Sequence, residues 1–397
     1  MIGFRSCTVL AVLAWFMLSQ LGTAHSEPYR PTDDAQVLER LSFNASDPIA
    51  RKLETLRTDI RRNPRNLESA VQLATHYIEQ SRSEGDPRLL GQAEAVLAHW
   101  WNEPAPPPVT LLLRATIRQT AHQFDQALAD LDQVLAEQPA NAQAWLTKAS
   151  ILQVQARYDD ARRACQHLAR LAASHVLLGC FSDIAGVTGQ SAKTLEVLRA
   201  VLTNSNISGR ERIWIATILA ETAARTGAIR EAENYFAQAF QVAVKDQYLL
   251  SAYADYLLDQ HRYQDAISLL QPETRIDGLL LRLALAEQAL ELPAFRNHAA
   301  ELGARFAAGR ERGTTVHVRE EARFTLTLRH DARKALALAE DNWKVQREPA
   351  DARILLECAL ADKSRSAAKP VLDWLQTNHV EDFRLRQLAK EIQEGTF

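Results

Sequence analysis

Hydrophobic residues and alanines recur along the chain at an interval of 34 positions. Phe124 and Tyr158 lie 34 positions apart, and each is followed three positions later by an alanine. Ile229 and Tyr263 repeat this arrangement further along, again 34 positions apart. A fixed period of this length is typical of proteins built from stacked structural repeats. The pattern therefore predicts a repeat array.

Each repeat is predicted to contain two packed helices. Small side chains such as Ala115 and Ala149 fall in the first helix of a unit, and Ala127 and Ala161 fall in the second. Alanine lets two helix backbones approach closely, and the larger residue that opens the second helix fills the remaining space. Alanine and leucine dominate the composition, whereas glycine and proline number 14 each, which favours helix over strand.

This pattern resembles the tetratricopeptide repeat, a 34-residue unit of two helices joined by a turn. The signature positions of the best unit are filled by Trp145, Ala149, Tyr158 and Ala161. The chain departs from the family where Ala156 and His261 replace the turn glycine. The resemblance implies an all-α fold, namely a right-handed superhelical solenoid of stacked antiparallel helix pairs.

The repeat domain is predicted to span residues 47–395, with the clearest repeats at 108–175 and 213–275. Asp47–Arg62 is predicted as a capping helix before the array and Asp382–Ile392 as a cap after it. A long connector, Ser81–Leu90, is expected inside the first pair. The weaker pairs are predicted as Asn66–Gln80 with Gly91–Trp101, Val176–Val187 with Ala192–Leu202, Leu279–Glu291 with Ala294–Ala308, Val316–Leu328 with Asp331–Lys344, and Asp351–Ala361 with Ala367–Asn378.

The first residues predict an export signal. Arg5 is followed by the apolar segment Thr8–Leu21, which is shorter than the roughly 20 residues needed to span a bilayer. Cleavage is predicted after Ala24, or after Ser26, so 1–24 is a signal peptide and 25–46 a flexible linker. The whole chain also resembles exported tetratricopeptide proteins of Gram-negative bacteria. These features predict a periplasmic or secreted protein, with membrane attachment only if the signal is not cleaved.

The cysteines leave two alternatives. Removal of the signal leaves Cys165, Cys180 and Cys358, and an odd number argues against a disulfide framework. Cys165 and Cys180 are predicted on neighbouring helices, so one bridge between them is an alternative. The favoured interpretation is that all three are small buried apolar residues.

Charge and motifs exclude several classes of function. The net charge is −3 with no run of basic residues, so nucleic acid is not an expected partner. Gly186–Thr194 superficially resembles a phosphate-binding loop, but it lacks the glycine before Lys193 and falls at a repeat turn. The histidines form no tight ligand spacing. We therefore expect no enzymatic activity, no cofactor and no metal site.

Binding is predicted on the concave surface, which the first helix of every unit lines. The early units offer neutral side chains suited to a peptide backbone, and the later units, near residues 214–259, offer aromatic and acidic groups suited to a basic or amphipathic segment. An ordinary solvated face is the alternative. The predicted groove residues are Gln119, Gln153, Trp214, Glu221, Arg225, Tyr248, Asp255 and Asp259.

The sequence hypothesis is therefore a non-enzymatic exported scaffold that binds a protein or peptide in its concave groove. The alternative is a membrane-tethered assembly or secretion factor of the bacterial envelope, which would keep its N-terminal segment.

Overall fold

The computed structural model describes residues 33, 35, 36, 47–203, 207, 209–313 and 316–395, and no strand occurs among them. The predicted signal peptide 1–24 and nearly all of the predicted linker 25–46 lie outside these residues. In chain order the helices are α1 (Pro48–Arg62), α2 (Leu67–Glu84), α3 (Arg88–Trp101), α4 (Pro108–Thr120), α5 (Phe124–Glu137), α6 (Ala142–Val154), α7 (Tyr158–His167), α8 (Ser174–Val187), α9 (Ser191–Leu202), α10 (Gly209–Arg225), α11 (Ile229–Phe240), α12 (Gln247–Asp259), α13 (Tyr263–Leu270), α14 (Asp277–Ala289), α15 (Ala294–Glu311), α16 (Val318–Thr327), α17 (Ala332–Val345), α18 (Pro349–Ala361), α19 (Arg365–Thr377) and α20 (Phe383–Glu394).

Consecutive helices pack side by side as pairs, from α2 with α3 to α18 with α19, and α1 and α20 stand at the two ends. Phe124 and Tyr158 open α5 and α7, as the 34-residue period predicts. The predicted contact alanines are buried, namely Ala115, Ala127, Ala149 and Ala161. The predicted fold class, an all-α solenoid of stacked antiparallel helix pairs, is therefore confirmed. Within the described residues, no helix is both long and apolar enough to span a membrane.

The turn within a pair contains one residue in the left-handed backbone region. Its φ is 75° at Gly189, 57° at Ala156 and 56° at His261. Glycine adopts this conformation at little cost because it has no Cβ, whereas other residues are strained by about 1–2 kcal/mol. Ala156 and His261, which replace the family's turn glycine, therefore adopt the left-handed conformation that glycine would adopt at lower cost.

The prediction of a long connector over Ser81–Leu90 is wrong. The polar run before Gly85 continues α2 to Glu84, and α3 begins at Arg88. Gly85 ends α2 with a φ of 65°, and Asp86 accepts a hydrogen bond from the backbone N–H of Arg88 at 2.9 Å. The polar residues looked like a loop, but the left-handed glycine turns the chain within three residues.

Cys165 in α7 and Cys180 in α8 form a disulfide, with their Cα atoms 5.9 Å apart. The favoured sequence interpretation, three unbridged cysteines, is therefore wrong for this pair. The bridge joins the second helix of one pair to the first helix of the next. Cys358 is free and buried, as that interpretation expects.

The winding of the solenoid brings its last repeats against earlier ones. Arg347 N donates to Val154 O at 2.8 Å, and Trp374 Nε1 donates to the Tyr158 hydroxyl at 3.3 Å. One hydrophobic cluster contains residues from both parts of the chain. Repeats of an open solenoid contact only their neighbours. The contacts between distant repeats therefore make this solenoid closed, and we call the space that its repeats surround the inner channel.

Candidate binding channel

The first helices of the later pairs, α10, α12, α14, α16 and α18, face the inner channel together with α20, and a cavity of about 190 Å³ lies between them. The lining is densely charged and balanced in sign. Its arginines are Arg225, Arg282, Arg319, Arg323, Arg353 and Arg384. Its carboxylates are Glu221, Asp255, Asp259, Glu320, Glu357 and Asp382.

Asp255 is paired with two arginines of later repeats. Its Oδ2 accepts from Arg282 in α14, and its Oδ1 accepts from Arg323 in α16 at 2.6 Å. Burial by itself would raise the pKa of Asp255, but the two guanidinium groups outweigh it and hold the pKa well below its usual range. The Asp255 carboxylate is therefore ionised at physiological pH.

Asp259 lies one turn further along α12 and is also paired with two arginines. Arg353 NH1 in α18 lies 2.9 and 3.0 Å from its two oxygens, and Arg384 Nε in α20 lies 3.1 Å from Oδ2. Burial raises the pKa of Asp259 despite both cations. We call Asp255 and Asp259 with these four partners, Arg282, Arg323, Arg353 and Arg384, the arginine clasp.

The arginine clasp changes how the predicted acidic groove is understood. Sequence reasoning identified Asp255 and Asp259 as groove residues, and the structure does place both in the channel. It also places the chain's own arginines against them, from positions up to 125 residues away. No local pattern in the sequence signals such pairs, because they depend on the winding of the whole solenoid.

A second group of carboxylates surrounds Glu221, which lines the cavity beyond the clasp. Tyr248 in α12 donates its hydroxyl to Glu221 in α10, at 3.1 and 3.0 Å from the two carboxylate oxygens. Burial raises the pKa of Glu221 to about 7, with Asp183 adding to the effect and Arg225 opposing it. Tyr248 is nevertheless 61% exposed, so this part of the channel is open to solvent.

Glu348, at the start of α18, completes this group. Burial, followed by the charge of Asp351, raises the pKa of Glu348 to about 7, and Glu221 and Asp183 contribute in the same direction. Burial also raises the pKa of Asp183, to which the Gln153 side chain is hydrogen-bonded. We call Asp183, Glu221 and Glu348 the acidic wall.

The two cations beside the acidic wall do not offset the effect of burial on the pKa values of its carboxyls. Arg319 NH1 lies 3.4 Å from Glu348 Oε2. Arg225 lies beside Glu221 and Asp183. Its NH2 donates to the Thr222 hydroxyl at 3.2 Å, and its Nε has no hydrogen-bond partner in the described part of the chain. Burial is the main cause of the raised pKa values of the wall carboxyls, and neighbouring carboxylates add to it at Glu221 and Glu348.

The other predicted groove residues lie away from the cavity. Gln119 donates to Ser150 at 3.4 Å and so links α4 to α6. Trp214 packs over Gly179, where a Cβ atom would come within 2.5 Å of its ring. The cavity lining therefore contains four of the predicted groove residues, Glu221, Arg225, Asp255 and Asp259. Tyr248 reaches it through its hydrogen bond to Glu221, and Gln153 is hydrogen-bonded to Asp183.

Metal binding has no candidate site in the part of the chain that the structure describes. No three or more His, Cys, Asp or Glu residues there are grouped so that they could hold a metal ion.

Residues 120–175, which contain α5, α6 and α7, match the family model of the tetratricopeptide repeat. The family resemblance predicted from the sequence is therefore confirmed. Comparison with curated proteins gives no match. The resemblance to exported bacterial proteins stays a prediction.

Three solved structures illustrate the structural similarity. The chain is similar to the APC/C hetero-tetramer Cut9–Hcn1, with 15% identity and a TM-score of 0.43, over 77% of this chain and 52% of that chain. It therefore spans about half the length of that protein. A tetratricopeptide repeat protein from Parabacteroides merdae gives 16% identity and a TM-score of 0.31, over 81% and 99% of the two chains. A putative kinesin light chain repeat protein from Podospora anserina gives 20% identity and a TM-score of 0.32, over 45% and 96%.

Proposed function

Because the chain carries tetratricopeptide repeats, we propose that it is a non-enzymatic scaffold, exported to the periplasm or secreted, that binds a protein or peptide segment in its inner channel. The observation that carries this proposal is the acidic wall beside Tyr248. Arg319 NH1 lies 3.4 Å from Glu348 and Arg225 lies beside Glu221, yet burial still raises the pKa of both carboxyls to about 7. Solvent reaches Tyr248 beside them. A partner that brings positive charge would relieve their mutual repulsion.

The chemistry of the acidic wall favours a basic or amphipathic segment. An arginine or lysine of the partner would lie between Glu221 and Glu348 and beside the Tyr248 ring. Carboxylates bind such a group through charge-assisted hydrogen bonds, and an aromatic ring attracts a cation to its face. Aromatic and charged groups together are typical of the residues that dominate binding energy.

Export is supported by the predicted signal peptide and by the Cys165–Cys180 bridge, because disulfides persist mainly in oxidising compartments. The test is N-terminal sequencing of the protein recovered from cell fractions. A chain that begins at His25 or Glu27 and appears with periplasmic or secreted proteins supports export. An intact Met1 in the membrane fraction would favour the membrane-tethered factor.

Binding is tested by capture from an envelope extract with the immobilised mature chain, followed by mass spectrometry and by the affinity of the purified partner. Glu221→Gln should weaken that affinity by about tenfold, because it removes a charge that faces the bound segment. The matched control is Glu231→Gln. Glu231 is an exposed glutamate on α11 that pairs with Arg199.

Equal affinities for these two variants would reject the acidic wall as the binding site. Replacing Asp255 and Asp259 by lysine is a poorer test, because two lysines facing four arginines would disrupt the fold whether or not a partner binds there.

A further inference from the structure

The cavity in the inner channel has the size and lining of a pocket for one side chain. Its volume of about 190 Å³ corresponds to roughly six water molecules. The apolar side chains Phe236, Leu281 and Ile354 line it together with the Asp259 carboxylate. Arginine and lysine combine a long apolar stem with a charged head, so both parts of such a side chain match this lining.

The two arginines at Asp259 each hold a second partner. Arg353 Nε lies 2.7 Å from Glu357. Arg384 donates to the backbone oxygen of Asp259 at 2.7 Å and lies 5.4 Å from the centre of the Phe383 ring. If another cation took the Asp259 carboxylate, neither arginine would become a buried charge without a partner, which is the costly outcome of breaking an ion pair.

Solvent reaches this part of the clasp. The side chains of Asp259, Arg353 and Arg384 are 20%, 28% and 31% exposed. Water screens ion pairs that it reaches, which lowers the cost of replacing one partner by another. The Asp255 side chain is 29% exposed, but that of its partner Arg282 is only 8% exposed, and Arg282 also donates to Gly278 O.

Arg282 supplies a further contact for a bound segment. It lines the same cavity, and its buried Nε has no hydrogen-bond partner among the described residues. A buried donor without an acceptor is costly. A backbone carbonyl of a bound peptide is an acceptor of the kind that it lacks.

We propose that the cavity is an anchor pocket for one arginine or lysine side chain of a protein partner, whose charged head takes the Asp259 carboxylate from Arg353 and Arg384. These two arginines occupy the site until the partner arrives. This inference rests on the proposed function, since it specifies how a basic segment is held in the same channel.

The test uses a defined probe, the tripeptide acetyl-Gly-Arg-Gly-amide, with the citrulline tripeptide as the uncharged control of the same shape. Binding to the full mature chain is measured by calorimetry or by ligand-observed NMR. The double variant Arg353→Gln with Arg384→Gln leaves the Asp259 carboxylate without its two arginine partners. The arginine tripeptide should therefore bind the double variant about tenfold more tightly than it binds the wild type. Asp259→Asn should abolish binding.

The matched control replaces two exposed arginines on the outer surface, Arg163→Gln with Arg199→Gln, and should leave binding unchanged. Circular dichroism checks that each variant is folded. If the double variant at Asp259 does not fold, Arg384→Gln alone replaces it, because Arg353 then still pairs with the carboxylate. Unchanged or weaker binding by the folded variant, or equal binding of the citrulline tripeptide, would overturn the anchor pocket.

The two proposals fail separately. The tripeptide experiment needs no natural partner and addresses the pocket alone. If Glu221→Gln loses partner capture and no variant binds the tripeptide, the anchor pocket is rejected and the acidic wall is supported as the binding site. If tripeptide binding depends on Asp259 and Glu221→Gln captures the partner as the wild type does, the anchor pocket is supported and the acidic wall is rejected as the binding site.

Discussion

At the scale of single residues, the turn within each helix pair concentrates local strain. Ala156 holds a φ of 57°, a left-handed conformation in which its Cβ crowds the following carbonyl. Ala156→Gly should therefore stabilise the fold by about 0.5–1 kcal/mol, after the greater freedom of glycine in the unfolded chain is subtracted. The midpoint of urea unfolding measures this change.

The same substitution in a helix of the same repeat is the control. Ala149 is buried within α6, so Ala149→Gly should destabilise the protein, because it leaves a gap and weakens the helix. Two changes of the same sign would contradict the assignment of strain to the turn.

Glu221 is a residue whose charge opposes folding. Its pKa is about 7 in the fold and about 4.3 in an unfolded chain. The stability that its protonated form provides is therefore complete below about pH 4 and is lost as the pH rises through 7. Glu221→Gln, which keeps an acceptor for Tyr248, should stabilise the protein at pH 8 by about 1 kcal/mol, reduced from the full shift because solvent reaches the channel.

Unfolding midpoints of wild type and Glu221→Gln at pH 5 and pH 8 measure this effect. The difference should shrink toward zero at pH 5. A variant that is less stable than wild type at pH 8 would show that the Glu221 charge is compensated in the fold.

At the scale of helices, local sequence signals predicted most element bounds. Asp47 caps α1 through a hydrogen bond to the backbone N–H of Ile49, and Gly189 lies in the turn between α8 and α9; both features are visible in the sequence. The polar run before Gly85 was interpreted as a loop, but its charged residues lie on the exposed side of a helix that continues to Glu84. Element bounds follow from local periodicity and caps, whereas exposure depends on neighbours.

The Cys165–Cys180 bridge links two pairs of the array. It closes a segment of 15 residues, for which loop-entropy arguments give about 3 kcal/mol of stabilisation. Cys165→Ala with Cys180→Ala should lower the free energy of unfolding by up to that amount. Thiol titration of the unfolded, unreduced mature chain should find Cys358 alone, and three reactive thiols would contradict the bridge.

At the scale of the whole molecule, we expect the contacts between distant repeats to make unfolding of the array more cooperative than that of an open solenoid. Trp374→Ala removes a buried ring that reaches Tyr158 and should cost about 3–5 kcal/mol. The wild type should unfold at one midpoint by both circular dichroism and tryptophan fluorescence, whereas the variant should show separate midpoints. Trp374→Phe, which keeps most of the packing, is the control, and separate midpoints in the wild type would contradict closure.

Sequence reasoning named Glu221 and Arg225 in α10 and Asp255 and Asp259 in α12, which line the cavity, but it gave no sign of what lies opposite them, and it also named Trp214, which packs over Gly179. The 34-residue period assigns each position to a face of its own helix. Arg353 and Arg384 reach Asp259 only because the solenoid winds tightly. The amount of winding results from many small packing angles between pairs, which no single motif encodes.

In the proposed function, the acidic wall binds the positive charge of a partner. The most direct measurement is the affinity of Glu221→Gln for the captured partner at pH 8, determined together with the stability of the same variant. Two opposite changes are expected: higher stability, because a charge that opposes folding is removed, and about tenfold weaker binding, because that charge attracts the partner. Unchanged affinity in a folded, stabilised variant would contradict the proposed function.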